Sequence, residues 1–195
     1  VQQWWVILLA YLIGNFATSF IVGKLGANID IRNHGSGNAG STNVFRTLGL
    51  KAGIITFLGD SLKGVAAVFL GRHFGGEQLA LLTGLAAIIG HNWPALLKFK
   101  GGKGIATTIG VMVVIQPLAS AIVILFGSII LFRYRYVSLA SVTAISLLPV
   151  ILYFFEGTHY LFFGLVLAGM AIYRHRENIQ RLMKGTERKI SKKSR

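Results

Sequence analysis

Residues 105–132 read IATTIGVMVVIQPLASAIVILFGSIILF, a 28-residue apolar stretch interrupted by Gln116-Pro117. Crossing a hydrocarbon core takes about 20 such residues, so the run is long for a single passage. Pro commonly opens a helix just after a turn, which favours one helix ending at Ile115 and a second starting at Pro117. The competing reading is one long helix kinked at the proline. The choice decides how often the chain crosses a membrane and on which side it ends.

Working outward with the same length criterion marks seven spans: Trp4–Lys24, Leu48–Leu70, Gln78–Leu97, Ile105–Ile115, Pro117–Phe132, Val137–Phe155 and Tyr160–Tyr173. Cytoplasmic loops carry an excess of Lys and Arg, and this bias tests the split at Pro117. With seven spans and the N-terminus outside, eighteen of the 20 basic residues fall on the inner side, Arg72 stays outside and Lys63 lies within a span. Six spans would put Arg133 and Arg135, or the basic first loops, on the wrong side. The expected fold is therefore all-α and polytopic, with about seven transmembrane helices, the N-terminus outside and the C-terminus cytoplasmic. A single domain over residues 1–195 is expected, with a basic cytoplasmic tail from about residue 174.

Composition agrees with residence in lipid. Of 195 residues 53% are hydrophobic and 13% charged, and a mean hydropathy of +0.63 is too apolar for a soluble domain. The first apolar run is too long for a signal-peptide core and is expected to stay in the membrane. The formal charge of +14 raises a nucleic-acid partner. No basic module interleaved with aromatics is visible, however, and topology accounts for most of the excess. The tail RLMKGTERKISKKSR suits anionic lipid headgroups, at about 1 kcal/mol per basic residue near such a surface. There are no cysteines, so neither a disulfide nor a thiolate metal site can form. No acidic cluster suits Mg²⁺, and no metal or cofactor is expected.

Three polar clusters stand out, all on the expected inner side and all able to face one site. The first, HGSGNAGSTNVFR at residues 34–46, combines Gly35, Gly37 and Gly40 with Ser36, Asn38, Ser41, Thr42, Asn43 and the guanidinium of Arg46. Glycines let the backbone turn N–H groups inward, and Arg offers a donor fork, so the chemistry is anion binding. No Lys precedes the Ser-Thr pair, which excludes a P-loop. A glycine-rich turn with a helix capped by Ser41, Thr42 or Asn43 explains the same residues, and glycine content alone does not separate the two.

The second cluster, FKGGKGIATT, sets Lys100 and Lys103 around Gly101, Gly102 and Gly104 at the start of a helix, where N–H groups and the positive dipole end attract phosphate or carboxylate. An interfacial anchor would explain the lysines but not exposed glycines between them. His91, just before it, reads as a hydrogen-bonded structural residue. The third cluster, YRHREN, puts His175 and Asn178 on one helix face, while Arg174, Arg176 and Arg181 read as an ordinary basic juxtamembrane helix. Within the second span Asp60 and Lys63 share a face. Charges in lipid are costly unless paired or turned to a cavity, so the pair must face the bundle, as structural support of the polar site.

The segments GSGNAGSTN, DSLKG, GHNWPALLKFKGGKGIAT and HRENI, in this order, resemble the bacterial membrane glycerol-3-phosphate acyltransferases that use acyl phosphate. The resemblance spans essentially the whole chain, without departure inside the motifs. It implies transfer of a fatty acyl group to the 1-hydroxyl of glycerol 3-phosphate in the bacterial cytoplasmic membrane, with an active site on the cytoplasmic side. Lysophosphatidate and phosphate would be the products. On that reading Ser36, Arg46 and Lys103 hold glycerol 3-phosphate, and the amides of Gly40 to Asn43 and Lys100 to Gly104 hold the donor phosphate. His175 and Asn178 orient the acceptor hydroxyl or stabilise the developing oxyanion. Ser141 is a further candidate contact. Acyl phosphate has a good leaving group, so direct attack needs no acyl-enzyme, and the proton goes to His175 or to the donor phosphate. The rival reading is a phosphate or organic-anion transporter, though no internal repeat supports it.

Overall fold

The structure, a computed structural model, describes residues 3–190, and all regular elements among them are helical. Two compact units divide the chain, Val1–Ile115 and Gln116–Arg195. The first contains α1 (Trp4–Asn15), α2 (Thr18–Ala27), α3 (Ser41–Leu48), α4 (Leu50–Asn92) and α5 (Ile105–Ile115). The second contains α6 (Pro117–Tyr134), α7 (Val137–Glu156), α8 (Thr158–Arg174) and α9 (Arg176–Met183). Among the described residues four stretches are long and apolar enough to cross a membrane: Trp4–Ala27, Leu50–Leu97, Pro117–Tyr134 and Val137–Glu156.

The expected segments reappear with three differences. Trp4–Lys24 is two helices, because Asn15 turns its amide Nδ2 back onto the Tyr11 carbonyl at 2.7 Å and Phe16 leaves the helix with ψ 99°. Leu48–Leu70 and Gln78–Leu97 fall, apart from their outer ends, on one helical run, Leu50–Asn92, that departs from helical backbone at Gly75 and Gly76. Gly76 has φ +67°, a conformation that a side chain would strain. The span at Ile105–Ile115 keeps its bounds, but 11 residues rise only about 16 Å, roughly half a hydrocarbon core. At Gln116-Pro117 the helix breaks as expected, with Pro117 in the first turn of α6.

Packing within the first unit depends on small residues. Ala10, Ala67, Ala86 and Ala87 form a buried seam between α1 and α4, with Ile7 and Tyr11 against it. Gly14 lies on the Ala87 backbone and Gly90 on the Tyr11 carbonyl. On the other side of α4, Gly64 meets the Thr107 carbonyl and Gly110 the Ser61 carbonyl. In lipid, where tails are as apolar as side chains, such close backbone approach is what holds helices together. The bulky apolar residues turn outward: Trp4 is 66% exposed and Phe69 56%. In the second unit α7 packs on α6 and α8, and Leu148, Leu152 and Leu167 are fully buried.

A Cβ at Gly110 would collide with the Ser61 backbone, whereas one at Gly169 meets nothing within 4 Å. Gly110→Val is therefore expected to cost about 1–3 kcal/mol, lowering the Tm in detergent by several degrees. Gly169→Ala, within a helix and in open space, should keep or slightly raise it; equal Tm values for the two variants would contradict the packing described.

Candidate functional site

In the first unit the first two clusters come together. Arg32 begins the connection. It donates from its backbone N and Nε to Asp30 Oδ1, both at 3.0 Å, and from Nη2 to Oδ2 at 2.7 Å, while Nη1 reaches across to the Leu97 carbonyl at 3.0 Å. These hydrogen bonds from Arg32 hold the Asp30 carboxyl below the usual range, and Asp30 in turn raises Arg32. The loop before α3 is thus pinned to the loop after α4.

Asn43 organises the first loop from below. It is 1% exposed, accepts from the Ser36 N–H at 2.8 Å through Oδ1, and donates through Nδ2 to the carbonyls of Ile31 at 3.0 Å and His34 at 2.9 Å. Gly35 sits at φ +63° directly over that amide, where a Cβ would strike Oδ1. Ser41 opens α3, so Ser41, Thr42, Asn43 and Arg46 lie on a helix rather than in a loop. The capping role expected of Ser41, Thr42 or Asn43 is not seen: the N-cap is Gly40, in extended conformation and with no side-chain cap. Asn43 is committed to the loop instead. The first N–H groups of α3 emerge beside Gly40, with the Asn38 amide against it.

The second cluster departs from expectation in one respect. Gly101, Gly102 and Gly104 are buried, whereas Lys100 is exposed and Lys103 half-exposed. The burial has a steric cause. A Cβ on Gly101 would meet the His91 carbonyl and the Pro94 ring, and one on Gly102 would meet His91 Nε2 and, at 2.8 Å, the Ala39 carbonyl. Ala39 belongs to the first cluster, so at Gly102 the two loops touch. Gly102 also donates its N–H to the His91 carbonyl at 3.0 Å, and Gly104, at φ +81°, delivers the chain into α5.

Beneath the loops, Asp60, Lys63 and His91 form one buried cluster. Lys63 Nζ lies 3.0 Å from Asp60 Oδ1, 2.8 Å from His91 Nδ1 and 3.0 Å from the Phe16 carbonyl. The break after α1 is what leaves that carbonyl open to a donor.

The second unit contains the third cluster. His175 and Asn178 are buried at the α8–α9 junction, with His175 Nδ1 on the Ala171 carbonyl at 2.7 Å. Asn178 Nδ2 donates to Glu187 Oε1 at 2.8 Å, as does Ser138 Oγ at 2.9 Å, while Arg181 Nε donates to Oε2 at 2.8 Å. Arg181 is therefore not part of an ordinary solvated basic helix. The tail read as a headgroup-binding segment is fastened down as far as Ile190, whose N–H reaches the Arg135 carbonyl at 2.7 Å. Lys192, Lys193 and Arg195 lie outside the described residues. Ser141, one turn after Ser138, is half-buried.

Glu187 and Arg32 are the residues that sequence reasoning passed over. Each had a signal: Glu187 is the lone acid in RLMKGTERKISKKSR, and Arg32 stands two residues from Asp30.

These features define a class: an all-helical membrane protein whose glycine-rich loops are locked together over a buried polar cluster. Its sequence matches the family profile described as glycerol-3-phosphate acyltransferase over residues 4–185. It is 64% identical over 189 residues to a glycerol-3-phosphate acyltransferase of Alkaliphilus metalliredigens, covering 97% of this chain and 96% of that one. A second relative of the same name, from Thermoanaerobacter sp., is 46% identical, with 96% and 95% covered. Among solved structures, the glycerol 3-phosphate form of PlsY (YgiH), an integral membrane glycerol 3-phosphate acyltransferase, superposes with TM-score 0.92 at 38% identity, covering 98% of this chain and 96% of that one. The lysophosphatidic acid form of that protein gives 0.90 at 36% identity, with the same coverage. The chain belongs to the glycerol-3-phosphate acyltransferase family.

Burial pushes the Glu187 carboxyl up, but the donors Arg181, Asn178 and Ser138 outweigh it and hold the group below the ordinary carboxylate range. A carboxyl lowered on folding adds stability above its unfolded pKa and loses it as pH falls through the folded one. The Tm gap between wild type and Glu187→Gln should be widest at neutral pH and close as the solution passes below the carboxylate range. A gap that is constant with pH would contradict this.

Proposed function

We propose that the protein transfers a fatty acyl group from acyl phosphate to the 1-hydroxyl of glycerol 3-phosphate, releasing lysophosphatidate and inorganic phosphate. The observation that supports this reading is the contact of the two glycine-rich loops at Gly102 and Ala39, which brings both loops into one region of the first unit. Both substrates present phosphate to such a region, and the structurally similar PlsY is known in a glycerol 3-phosphate form and a lysophosphatidic acid form.

In this scheme Ser36, Arg46 and Lys103 hold glycerol 3-phosphate. The leading N–H groups of α3 and of the Lys100 to Gly104 loop hold the donor phosphate. The acceptor hydroxyl attacks the acyl carbonyl, the oxyanion that forms is stabilised by preorganised donors, and the carbon–oxygen bond to phosphate breaks. Because phosphate leaves readily, no acyl-enzyme is needed, and the departing phosphate takes the hydroxyl proton. For the second unit, His175 and Asn178 are proposed as groups required for turnover, with Ser141 as an accessory contact. The transporter reading has no support in the relatives, which are acyltransferases along the full length of the chain.

Purified protein in detergent, given labelled glycerol 3-phosphate with acyl phosphate, acyl-CoA or acyl-carrier protein in turn, should make lysophosphatidate from acyl phosphate alone. Arg46→Ala and Lys103→Ala should each lower kcat/KM for glycerol 3-phosphate by on the order of 10²-fold, mainly through KM. His175→Ala and Asn178→Ala should lower kcat. Turnover with acyl-CoA, or a burst that reveals an acyl-enzyme, would refute the scheme.

We also propose seven crossings, with the N-terminus outside and the loop clusters on the cytoplasmic side. The chain has no cysteine, so single-cysteine variants report sidedness cleanly. An impermeant thiol reagent applied to intact cells should label His73→Cys, whereas Lys51→Cys and Arg133→Cys should react only after the membrane is opened. All three positions are exposed.

A further inference from the structure

We propose that His91 is a positioning residue: Lys63 holds its imidazole as the neutral Nε2–H tautomer, and the ring then sets the spacing between the two glycine-rich loops. The argument begins at the ammonium group. The Lys63 ammonium is in hydrogen-bond contact with the Phe16 carbonyl and His91 Nδ1, at 3.0 and 2.8 Å, and is ion-paired with Asp60, whose Oδ1 lies 3.0 Å away. An ammonium can only donate, so Nδ1 presents its lone pair and the ring proton sits on Nε2. Asp60 Oδ1 is 3.6 Å from Nδ1, too far for a hydrogen bond that would claim the opposite tautomer. With Lys63 an ammonium, charge agrees: carboxylate, ammonium and neutral imidazole sum to zero, whereas an imidazolium beside the ammonium would leave an uncompensated buried charge. Lys63 and Asp60 are 5% and 1% exposed.

The other edge of the ring faces the loops. Nε2 stands where Gly102 would carry a Cβ, and the same point is 2.8 Å from the Ala39 carbonyl of the first loop. His91 also accepts the Gly102 N–H at its own carbonyl. One residue thus fixes the second loop through backbone and ring, and the ring edge lies at the junction with the first loop. Moving or rotating the imidazole would change the separation of the loops without removing any group assigned to substrate.

This inference rests on the reading that the loops bind phosphate groups, and the experiment separates the two. The full-length protein, labelled with ¹⁵N-histidine in detergent, is compared with variants that replace His34, His73, His159 and His175 in turn, so that His91 is assigned by elimination. Its Nε2 should show the shift of a protonated nitrogen and its Nδ1 that of a lone-pair nitrogen. The opposite pattern, or an imidazolium, overturns the proposal without any His91 variant having to fold.

Kinetically, His91→Asn should raise both KM for glycerol 3-phosphate and the Ki of inorganic phosphate by about ten-fold or more. His91→Gln, whose amide N–H reaches the Nε2 position, should recover most of the loss. Neither constant depends on the fraction of active protein, so a merely structural role would lower the maximal rate and leave both unmoved. If phosphate competes in the wild type and its Ki is unchanged in His91→Asn, the positioning role falls. If phosphate does not compete even in the wild type, the loops are not a phosphate site and the proposal falls with that reading.

Discussion

The constraint from which the first unit can be understood is a single cation in an apolar helix bundle. Lys63 is nearly fully buried, and a lone ammonium at such a position would cost several kcal/mol. Its three partners come from three different places: Asp60 one helical turn back, the carbonyl freed where α1 breaks at Phe16, and the ring of His91 near the end of α4. Two of them go with an irregularity of the fold. The break in the first span supplies a carbonyl that an unbroken helix would have used internally. The position of His91 brings the end of α4 back beside its beginning, which the turn at Gly75–Gly76 permits. The polar cluster is therefore the reason these helices meet in one register, in a medium where apolar contact alone discriminates poorly between registers.

Above that cluster the first unit has little tolerance for side chains. Gly35 lies over Asn43, Gly101 over the His91 carbonyl and Gly102 over the His91 ring. Backbone N–H groups are brought close to one another only because these positions carry no Cβ. The cationic side chains, Lys100, Lys103 and Arg46, sit outside this packed layer with more exposure. The division of labour is physical: backbone donors are rigid and cost no side-chain entropy to aim, while long cations supply charge at adjustable positions.

The elements that could be read from sequence were those set by local chemistry. The break at Gln116-Pro117 follows from proline geometry, and the mutual pairing of Asp60 and Lys63 follows from helical spacing and the cost of charge in lipid. What escaped reading depended on partners distant in sequence. That the carbonyl left open at Phe16 serves a lysine 47 positions away is not legible in the residues around it. The burial of Gly101 and Gly102 depends on His91 and Ala39, and the use of Asn43 as a loop clamp depends on Ile31 and His34. Glycine-rich composition indicated that a backbone had to come close to something, without identifying what.

The second unit repeats the principle with the charge reversed. Here the buried ion is a carboxylate, Glu187, and its donors come from two helices, Ser138 on α7 and Asn178 and Arg181 on α9. Asn178 has one amide hydrogen on that carboxylate, so the orientation of its side chain is settled before any substrate arrives. A side-chain amide is symmetric enough to flip unless a partner distinguishes its two ends, and a carboxylate accepts only from the nitrogen. Glu187 thereby dictates which way the Asn178 carbonyl points. A tail segment that composition marks as a basic, headgroup-binding stretch thus carries the acid that orients a polar residue in the unit's interior.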